Sequence, residues 1–213
     1  MASELFNAWT IPSGSDPLIG LHDSRSGTRF LMKINEDLSY TTSSAVLNLN
    51  YVNSICFKDN KVYMCIPARG SNGPIIGTVD INSDGTFYNS KTTAITSLSH
   101  NATGYTEALV YTNGTTVFAA FAYNSSSKEI EFFSLSGTNY TKIKTVSGLS
   151  LGKAVTYDVV RNRFVSIGVG NSEGAVLVSE NGVDWVSKGT IPHGITKQRQ
   201  LYITEGGDYI VNG

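Results

Sequence analysis

The sequence predicts an all-β chain, and three observations support this prediction. Short apolar segments bounded by Gly, Asn, Asp and Ser recur throughout the 213-residue chain, as expected of strands joined by tight turns. No segment keeps an apolar period of 3.6 over a useful helical length. Strand–turn–strand units repeat at intervals of about 40–50 residues, which predicts a repeat architecture rather than an irregular fold. We expect one domain over residues 1–213.

The first half of each repeat is a hairpin of two apolar strands around a tight polar turn. These turns are expected at residues 59–60, 113–114, 161–162 and 206–207. Asn113-Gly114 is the strongest signal, because both central residues of the favoured two-residue turn need positive φ. The second strand of each hairpin is apolar on both sides, so each sheet is predicted to be covered on both faces by its neighbours.

The second half of each repeat is a hairpin with an aromatic residue just beyond its turn. Tyr88, Tyr140 and Trp185 occupy this position, and Tyr40 is a weaker copy. The successive spacings are 48, 52 and 45 residues. Four strands at this period predict a small β-propeller of about five blades, with four blades as the alternative.

Three of these hairpins share a motif: Ser179-x-Asn181-Gly182-x-x-Trp185, Asn82-x-Asp84-Gly85-x-x-Tyr88 and Ser134-x-Ser136-Gly137-x-x-Tyr140. The motif resembles the Asp-box hairpin of sialidase-type β-propellers, and more closely the compact hairpins of bacteriophage tail and virion proteins. The usual sialidase box is one residue longer and has Asp where Asn181 stands, so the likeness is one of hairpin geometry.

The resemblance implies a structural role for the motif, away from any ligand. The glycine supplies the positive φ of the turn, and Asp84 or Asn181 is expected to bond backbone N–H groups across it. Tyr88, Tyr140 and Trp185 are expected to pack between adjacent sheets.

The N-terminal segment repeats the end of a unit. Ser3-Glu4 precedes Trp9 by six residues and Thr-Ile-Pro follows, as around Trp185. We therefore expect residues 1–12 to complete the last blade and close the ring, which would leave no unpaired edge strand. The alternative is that 5–12 is the inner strand of the first blade and the ring is not closed in this way. The blades are predicted at 13–47, 48–98, 104–149, 152–192, and 195–213 together with 1–12.

The composition excludes several classes of protein. With 15% charged residues and a formal net charge of −1, the chain has no general attraction for nucleic acid or anionic membranes. No apolar run reaches the roughly 18 residues that span a bilayer, and the N-terminus lacks the pattern of a signal peptide. Cys56 and Cys65 are predicted to be buried, reduced thiols. Three scattered histidines predict no metal site and no cofactor.

Candidate ligand-binding residues lie in loops that a propeller gathers on one face, here called the loop face. It comprises the loops between second and third strands, at 23–29, 68–74, 123–129 and 170–174, and the connections between blades, at 97–104, 147–153 and 192–200. The candidates are Arg69, Asn72, His100, Tyr123, Asn124, Asn171 and His193. Asn72, Asn124 and Asn171 recur in equivalent loops. They either satisfy turn geometry or form a ring of amides for sugar hydroxyls.

A glycoside hydrolase is the enzymatic alternative. It needs two carboxylates around the scissile bond, and a sialidase needs a Tyr nucleophile instead, with three Arg to hold the sugar carboxylate. No Asp/Glu pair stands out in these loops, and Arg161 and Arg163 fall at a hairpin turn that points away from them. We therefore predict a non-enzymatic protein.

The resemblance implies a virion protein, made in the host cytoplasm and exposed on the particle. Two roles are expected for it: recognition of a host-surface glycan or receptor, and, as the alternative, a structural adaptor or decoration protein that docks onto another virion protein. Its partners are then other virion proteins and a cell-surface glycan, with several copies or a homo-oligomer on each particle.

Overall fold

The structure is a computed structural model that describes residues 5–9, 18–23, 29–34, 39–42, 52, 54–68, 71–124, 128–152, 154–168, 174–191, 200–204 and 206–212. Within these ranges the chain forms four antiparallel four-stranded sheets, one two-stranded sheet and a single 3₁₀ turn at Ala102–Gly104. The prediction of an all-β fold is confirmed. In every sheet the spatial order of the strands follows their order along the chain.

The strands fall into five consecutive groups. Sheet 1 contains β1 (Leu5–Trp9), β2 (Leu18–Asp23), β3 (Arg29–Ile34) and β4 (Tyr40–Thr42). Sheet 2 contains β5 (Ser54–Lys58), β6 (Lys61–Ile66), β7 (Ile75–Ile81) and β8 (Phe87–Ala94). Sheet 3 contains β9 (Tyr105–Thr112), β10 (Val117–Tyr123), β11 (Glu129–Ser136) and β12 (Asn139–Ser147). Sheet 4 contains β13 (Val155–Asp158), β14 (Arg163–Ile167), β15 (Ala175–Ser179) and β16 (Val186–Thr190), and sheet 5 contains β17 (Gln200–Ile203) and β18 (Tyr209–Asn212).

The first strands of successive sheets lie next to one another. Strand β5 contacts β1 and β9, β9 also contacts β13, and β13 contacts β17. First strands are arranged in this way around the axis of a propeller, so the arrangement of the sheets is propeller-like. This order also places the turns between first and second strands at one end of the sheets, and the strand ends that flank the loops between second and third strands at the other.

The first strand does not pair as predicted. Strand β1 pairs with β2, with Leu5 opposite His22 and Trp9 opposite Ile19. The prediction that this segment completes the last blade is therefore wrong for residues 5–9, and the alternative, an inner strand of the first sheet, is correct. Pairing with the next strand along the chain closes a much shorter loop than pairing with the last hairpin, and so costs less conformational entropy.

The core lies between the sheets, as strands that are apolar on both faces require. The aromatic rings of Phe121 and Phe133 pack toward sheet 2, whereas Phe118 and Phe132 pack toward sheet 4. Successive residues of a strand point to opposite faces, so sheet 3 contributes to two interfaces at once. The prediction that each sheet is covered on both faces is confirmed for sheet 3.

Buried polar groups tie adjacent sheets together. The Ser54 hydroxyl of β5 donates to Val110 O and accepts from Val110 N of β9, both at 3.1 Å. The Tyr111 hydroxyl donates to Gly182 O at 2.7 Å and so joins sheet 3 to sheet 4. These bonds satisfy groups that burial would otherwise leave unpaired, and they fix how the sheets sit against each other.

The predicted inner turns are present, with one difference in detail. Asp59 and Asn60 both have positive φ, at 52° and 55°. At the Asn-Gly turn Gly114 has a φ of 85° and Asn113 is not left-handed. The Asn113 side chain instead accepts from Thr115 N at 3.0 Å and Thr116 N at 2.7 Å. The prediction of positive φ at both central positions is therefore wrong there, because the amide side chain makes a longer, hydrogen-bonded turn.

The hairpin motif has the geometry that its sequence predicts. Gly85, Gly137 and Gly182 have positive φ, at 86°, 62° and 84°. The Asn181 side-chain oxygen accepts from Val183 N at 3.0 Å and from Asp184 N at 2.9 Å, while Gly182 N donates to the Ser179 hydroxyl at 2.9 Å.

The aromatic residues of the motif behave in two ways. Trp185 packs edge-on against Tyr111 of sheet 3, and Tyr140 packs against the core cluster that sheets 2 and 3 share, as predicted. Tyr88 is 48% exposed, so the prediction that it packs between sheets is wrong. Its neighbour Phe87 packs against the core cluster of sheets 1 and 2 instead. Because adjacent strand residues face opposite ways, an inward Phe87 turns Tyr88 outward.

Candidate ligand-binding site on the loop face

Two segments of the loop face meet beside sheet 3. One is the connection from β8 to β9, which carries His100 and the 3₁₀ turn. The other is the connection from β10 to β11, whose two ends carry Tyr123 with Asn124 and Lys128 with Glu129. Both segments adjoin strands of sheet 3 at the same end of that sheet, so their side chains lie close together. We call His100, Tyr123, Asn124, Lys128 and Glu129 the loop-face cluster.

The centre of this cluster is a stacked pair of rings. The His100 imidazole and the Tyr123 ring have centroids 4.3 Å apart and planes inclined by 16°. Nε2 of His100 contacts Oε2 of Glu129, and the two side chains are 33% and 20% exposed. The arrangement is therefore open to solvent yet held by contacts on more than one side.

Tyr123 is confined on its other sides. The Tyr105 ring lies 5.1 Å away at an inclination of 59°. A Cβ atom added at Gly104 would lie 2.1 Å from Cε2 of Tyr123, which is too close for two non-bonded carbon atoms. Only a glycine at position 104 lets the ring lie where it does.

Backbone hydrogen bonds fix the segments that carry these rings. Asn124 N donates to Gly104 O at 2.9 Å, and Ala68 N donates to Tyr105 O at 2.8 Å. The Asn101 side chain accepts from Thr103 N at 3.2 Å and caps the 3₁₀ turn. The loop 71–74 also lies against this turn, because a Cβ at Gly73 would be 2.8 Å from Cβ of Ala102.

Lys128 has a left-handed backbone, with a φ of 49°. This conformation costs a residue with a Cβ about 1–2 kcal/mol, and strained residues of this kind concentrate at functional sites. The carbonyl of Lys128 accepts from Gly148 N at 3.1 Å, which holds the strained residue in place. The strain is stored next to Glu129.

A buried charged layer lies beneath the loop-face cluster. Glu131 is fully buried on β11. Its carboxylate accepts from the Tyr105 hydroxyl and from Ser99 N, the latter at 2.9 Å, and pairs with Lys142. Burial is the main cause that raises the pKa of the Tyr105 hydroxyl well above its usual value, and the hydrogen bond to Glu131 raises it further. This hydroxyl therefore stays protonated.

The structure brings together three of the seven predicted ligand-binding residues and places a fourth nearby. His100, Tyr123 and Asn124 meet in the loop-face cluster, and the exposed Asn72 is in the loop that touches the 3₁₀ turn. Arg69, Asn171 and His193 lie outside the described residues.

Sequence reasoning missed the carboxylates of this region. Glu129 and Glu131 stand two residues apart in the otherwise apolar segment 129–133. A charged residue at an inward position of an apolar strand is a usable signal, because an unpaired buried carboxylate is very costly. Lys142 is 11 positions from Glu131, and the hydrogen-bond partners of the two carboxylates come from segments 26 to 32 positions away, which no local pattern shows.

The opposite face carries a second buried carboxylate, with a structural role. Asp158 is fully buried. It accepts from the Tyr209 hydroxyl at 2.5 Å and from Nη1 of Arg161 at 3.0 Å, and the same Nη1 donates to Gly207 O at 2.9 Å. Burial raises the pKa of Asp158, but its hydrogen bonds from Tyr209 and Arg161 outweigh burial and lower the pKa overall. This clamp joins sheet 5 to sheet 4.

Grouped metal ligands and membrane-spanning helices are both absent from the described ranges. There, no three or more His, Cys, Asp or Glu residues are grouped so that they could hold a metal ion. Among the same residues no helix has the length and apolarity to cross a membrane.

Comparisons with known proteins bear on the fold alone. No family model and no curated protein matches the chain. Among solved structures, the chain is similar to a protein from Bacteroides uniformis that is provisionally described as a 6-phosphogluconolactonase, with a TM-score of 0.52 and 13% sequence identity. The match covers 93% of this chain and 61% of the other, so this chain spans less than two thirds of that protein's length.

Proposed function

We propose that this chain is a non-enzymatic recognition module of a bacteriophage particle, a five-bladed β-propeller that binds a host-surface glycan through the loop face of sheet 3. The observation that carries the proposal is the stacked pair of His100 and Tyr123, 4.3 Å apart, with the exposed amide of Asn124 beside it. An aromatic platform with a few convergent polar groups is the usual composition of a small-molecule site.

The chemistry of the loop-face cluster suits a sugar. The His100 ring, whose side chain is 33% exposed and which stacks on Tyr123, offers a flat surface to the C–H face of a pyranose. The Asn124 amide offers donors and an acceptor to hydroxyl groups, and the Glu129 carboxylate is a strong acceptor. The cluster is a surface feature, which implies weak binding at each single site. Several copies on one particle would raise the overall avidity by roughly 10²–10⁴-fold.

Two features support a binding role over hydrolysis. A glycoside hydrolase places two carboxyl groups on either side of the scissile bond. Here Glu129 contacts His100, and Glu131 is buried beneath Tyr105 and paired with Lys142. Only one of the two carboxylates therefore reaches the surface of the site.

The activity attributed to the Bacteroides protein is tested directly by adding 6-phosphogluconolactone, for which we expect no hydrolysis above the spontaneous rate.

A glycan array with the purified protein tests the proposal. We expect saturable binding to one class of glycan, lost in Tyr123→Ala and weakened in Asn124→Ala. Tyr202→Ala and Asn139→Ala are matched controls, because Tyr202 and Asn139 are exposed residues of the same types away from the loop-face cluster. If the folded protein binds no glycan on the array, or if Tyr123→Ala leaves the binding unchanged, the proposal is refuted.

A structural adaptor is the second candidate, and one observation favours it. Val159 and Val160 are 61% and 72% exposed in the turn between β13 and β14, on the face opposite the loop-face cluster. Contiguous exposed apolar surface marks sites that another protein covers, and these two valines are neighbours in the turn. If this role is the main one, Val159→Ser/Val160→Ser should abolish incorporation into particles, whereas Tyr123→Ala should not.

A further inference from the structure

Glu131 is an unusual residue for its position. It lies on β11 between Ile130 and Phe132, and all three residues are buried. A buried ion pair contributes little to stability, because desolvation of both charges offsets their attraction, and apolar residues of similar volume often serve as well. Glu131 is fully buried and the Lys142 side chain is 27% exposed, so the desolvation cost falls mainly on the carboxylate, and its presence calls for an explanation beyond stability.

The contacts of Glu131 all lead to two consecutive loop residues, Ser99 and His100. Ser99 N donates to Oε1 of Glu131 at 2.9 Å, and the Lys142 ammonium donates to the Ser99 hydroxyl at 2.6 Å. The Tyr105 hydroxyl donates to Oε1 of Glu131 and accepts from His100 N at 3.3 Å. Side chains from β9, β11 and β12 thus converge on residues 99–100, those of β9 and β11 on the backbone and that of β12 on the Ser99 hydroxyl.

We infer that Glu131 is a positioning residue: through Ser99 N and the Tyr105 hydroxyl it sets the backbone from which His100 stacks on Tyr123 and reaches Glu129. This inference deepens the proposed function, because it concerns the same cluster. Glu131 itself lies too deep to touch a ligand. It acts by limiting the orientations of His100, and so preorganises the aromatic platform.

The stacked geometry has a spectroscopic signature that needs no ligand. The carbon-bound imidazole protons of His100 lie over the Tyr123 ring, whose ring current displaces their NMR signals upfield. The chain has three histidines, so the His100 signals are assigned by their absence in His100→Gln. Their displacement, relative to a solvent-exposed histidine at the same pH, measures the stack.

Two double variants separate the effect of the hydrogen-bond acceptor at position 131 from the effect of its charge. Glu131→Leu/Lys142→Met removes both charges together, so that no unpaired charge stays buried, and it also removes the acceptor for Ser99 N. Glu131→Gln/Lys142→Met removes the same charges but keeps an amide oxygen where Oε1 stands. We expect most of the upfield displacement to be lost in the first variant and kept in the second. Full displacement in the folded first variant would overturn the inference.

A third variant decides the matter if the first one does not fold. Tyr105→Phe keeps the ring that packs against Tyr123 and removes only the hydroxyl between Glu131 and His100 N. We expect a partial loss of the displacement, and an unchanged displacement would overturn the inference. These readouts are independent of glycan binding. A displacement that behaves as expected in a protein silent on the glycan array would keep the positioning role of Glu131 and reject the proposed function.

Discussion

Replacement of Gly104 by alanine tests the packing of the loop-face cluster. The new Cβ would lie 2.1 Å from Cε2 of Tyr123 and 2.9 Å from its Cδ2 and Cζ atoms. The ring must move by more than 1 Å to reach ordinary contact at about 3.5–4.0 Å. His100 stacks on one side of it and Tyr105 lies on another, so it cannot move without breaking those contacts. Insertion of one carbon into such packing costs about 1–3 kcal/mol.

The assay is thermal unfolding followed by circular dichroism. For a chain of 213 residues, 1 kcal/mol corresponds to roughly 2–4 °C in Tm, so Gly104→Ala should lower Tm by roughly 2–12 °C. Gly206→Ala is the matched control: its Cβ would meet Thr204 at an ordinary 3.8 Å, and the change should be within about 0.5 kcal/mol of neutral.

A double-mutant cycle isolates the cause. In a Tyr123→Ala background the ring is absent, so the cost of Gly104→Ala should fall to near zero. An equal cost of Gly104→Ala in both backgrounds, or no cost in either, would refute the packing of Tyr123 against residue 104.

Three further predictions concern single features of the fold. Lys128→Gly should raise the free energy of unfolding in urea by about 0.5–1 kcal/mol, because glycine relieves about 1–2 kcal/mol of strain at the φ of 49° and costs about 0.5–1 kcal/mol in chain entropy. The control Lys188→Gly, in the exposed strand β16, should lower it by about 0.5–1 kcal/mol, and a loss in both variants would contradict the strain. Burial raises the pKa of the Cys56 and Cys65 thiols, so a chromogenic disulfide should label neither in the native protein at pH 8 and both in denaturant; rapid native labelling would contradict their burial. The pKa of Asp158 is lowered in the folded state, so its contribution to stability is present above its unfolded value of about 3.9 and is lost as the pH falls below it; Asp158→Asn should cost roughly 1.5–3 kcal/mol at pH 7 and flatten the acid limb of the stability curve, and an unchanged acid limb would count against the clamp.

Features with a local cause could be predicted from the sequence. The turn at Asp59 and Asn60 sets the register of its hairpin, so Cys56 pairs with Tyr63 as the sequence predicts. The motif around Gly182 is equally local, because Asn181 bonds backbone groups only two and three residues away. Such contacts need no knowledge of the rest of the fold.

Features that depend on distant partners could not be predicted. The aromatic position of the motif is shared by Tyr88 and Trp185, yet only Trp185 is turned inward, because Phe87 takes the place of Tyr88 in the core. The partner of β1 likewise depends on a competition between two pairings that look equivalent in the sequence. The sequence pattern alone shows neither which face of a strand turns toward the core nor how much entropy each loop closure costs.

The candidate site could be predicted only in part, because several of its contacts also depend on partners distant in the chain. Loop position alone assigns His100, Tyr123 and Asn124 to the same face of the fold. The role of Gly104 and the layer formed by Glu131 become visible only when the segments are packed together, because each acts through a residue distant in the chain or through the absence of a side chain.

Chemical-shift mapping of the ¹⁵N-labelled protein with glycans from the array tests the central claim most directly. We predict saturable shifts at residues 99–105, 123–124 and 128–129, with none at the 159–162 turn on the opposite face. Glycan binding with shifts confined to that turn, or no shifts with any glycan, would contradict a recognition site at the loop-face cluster.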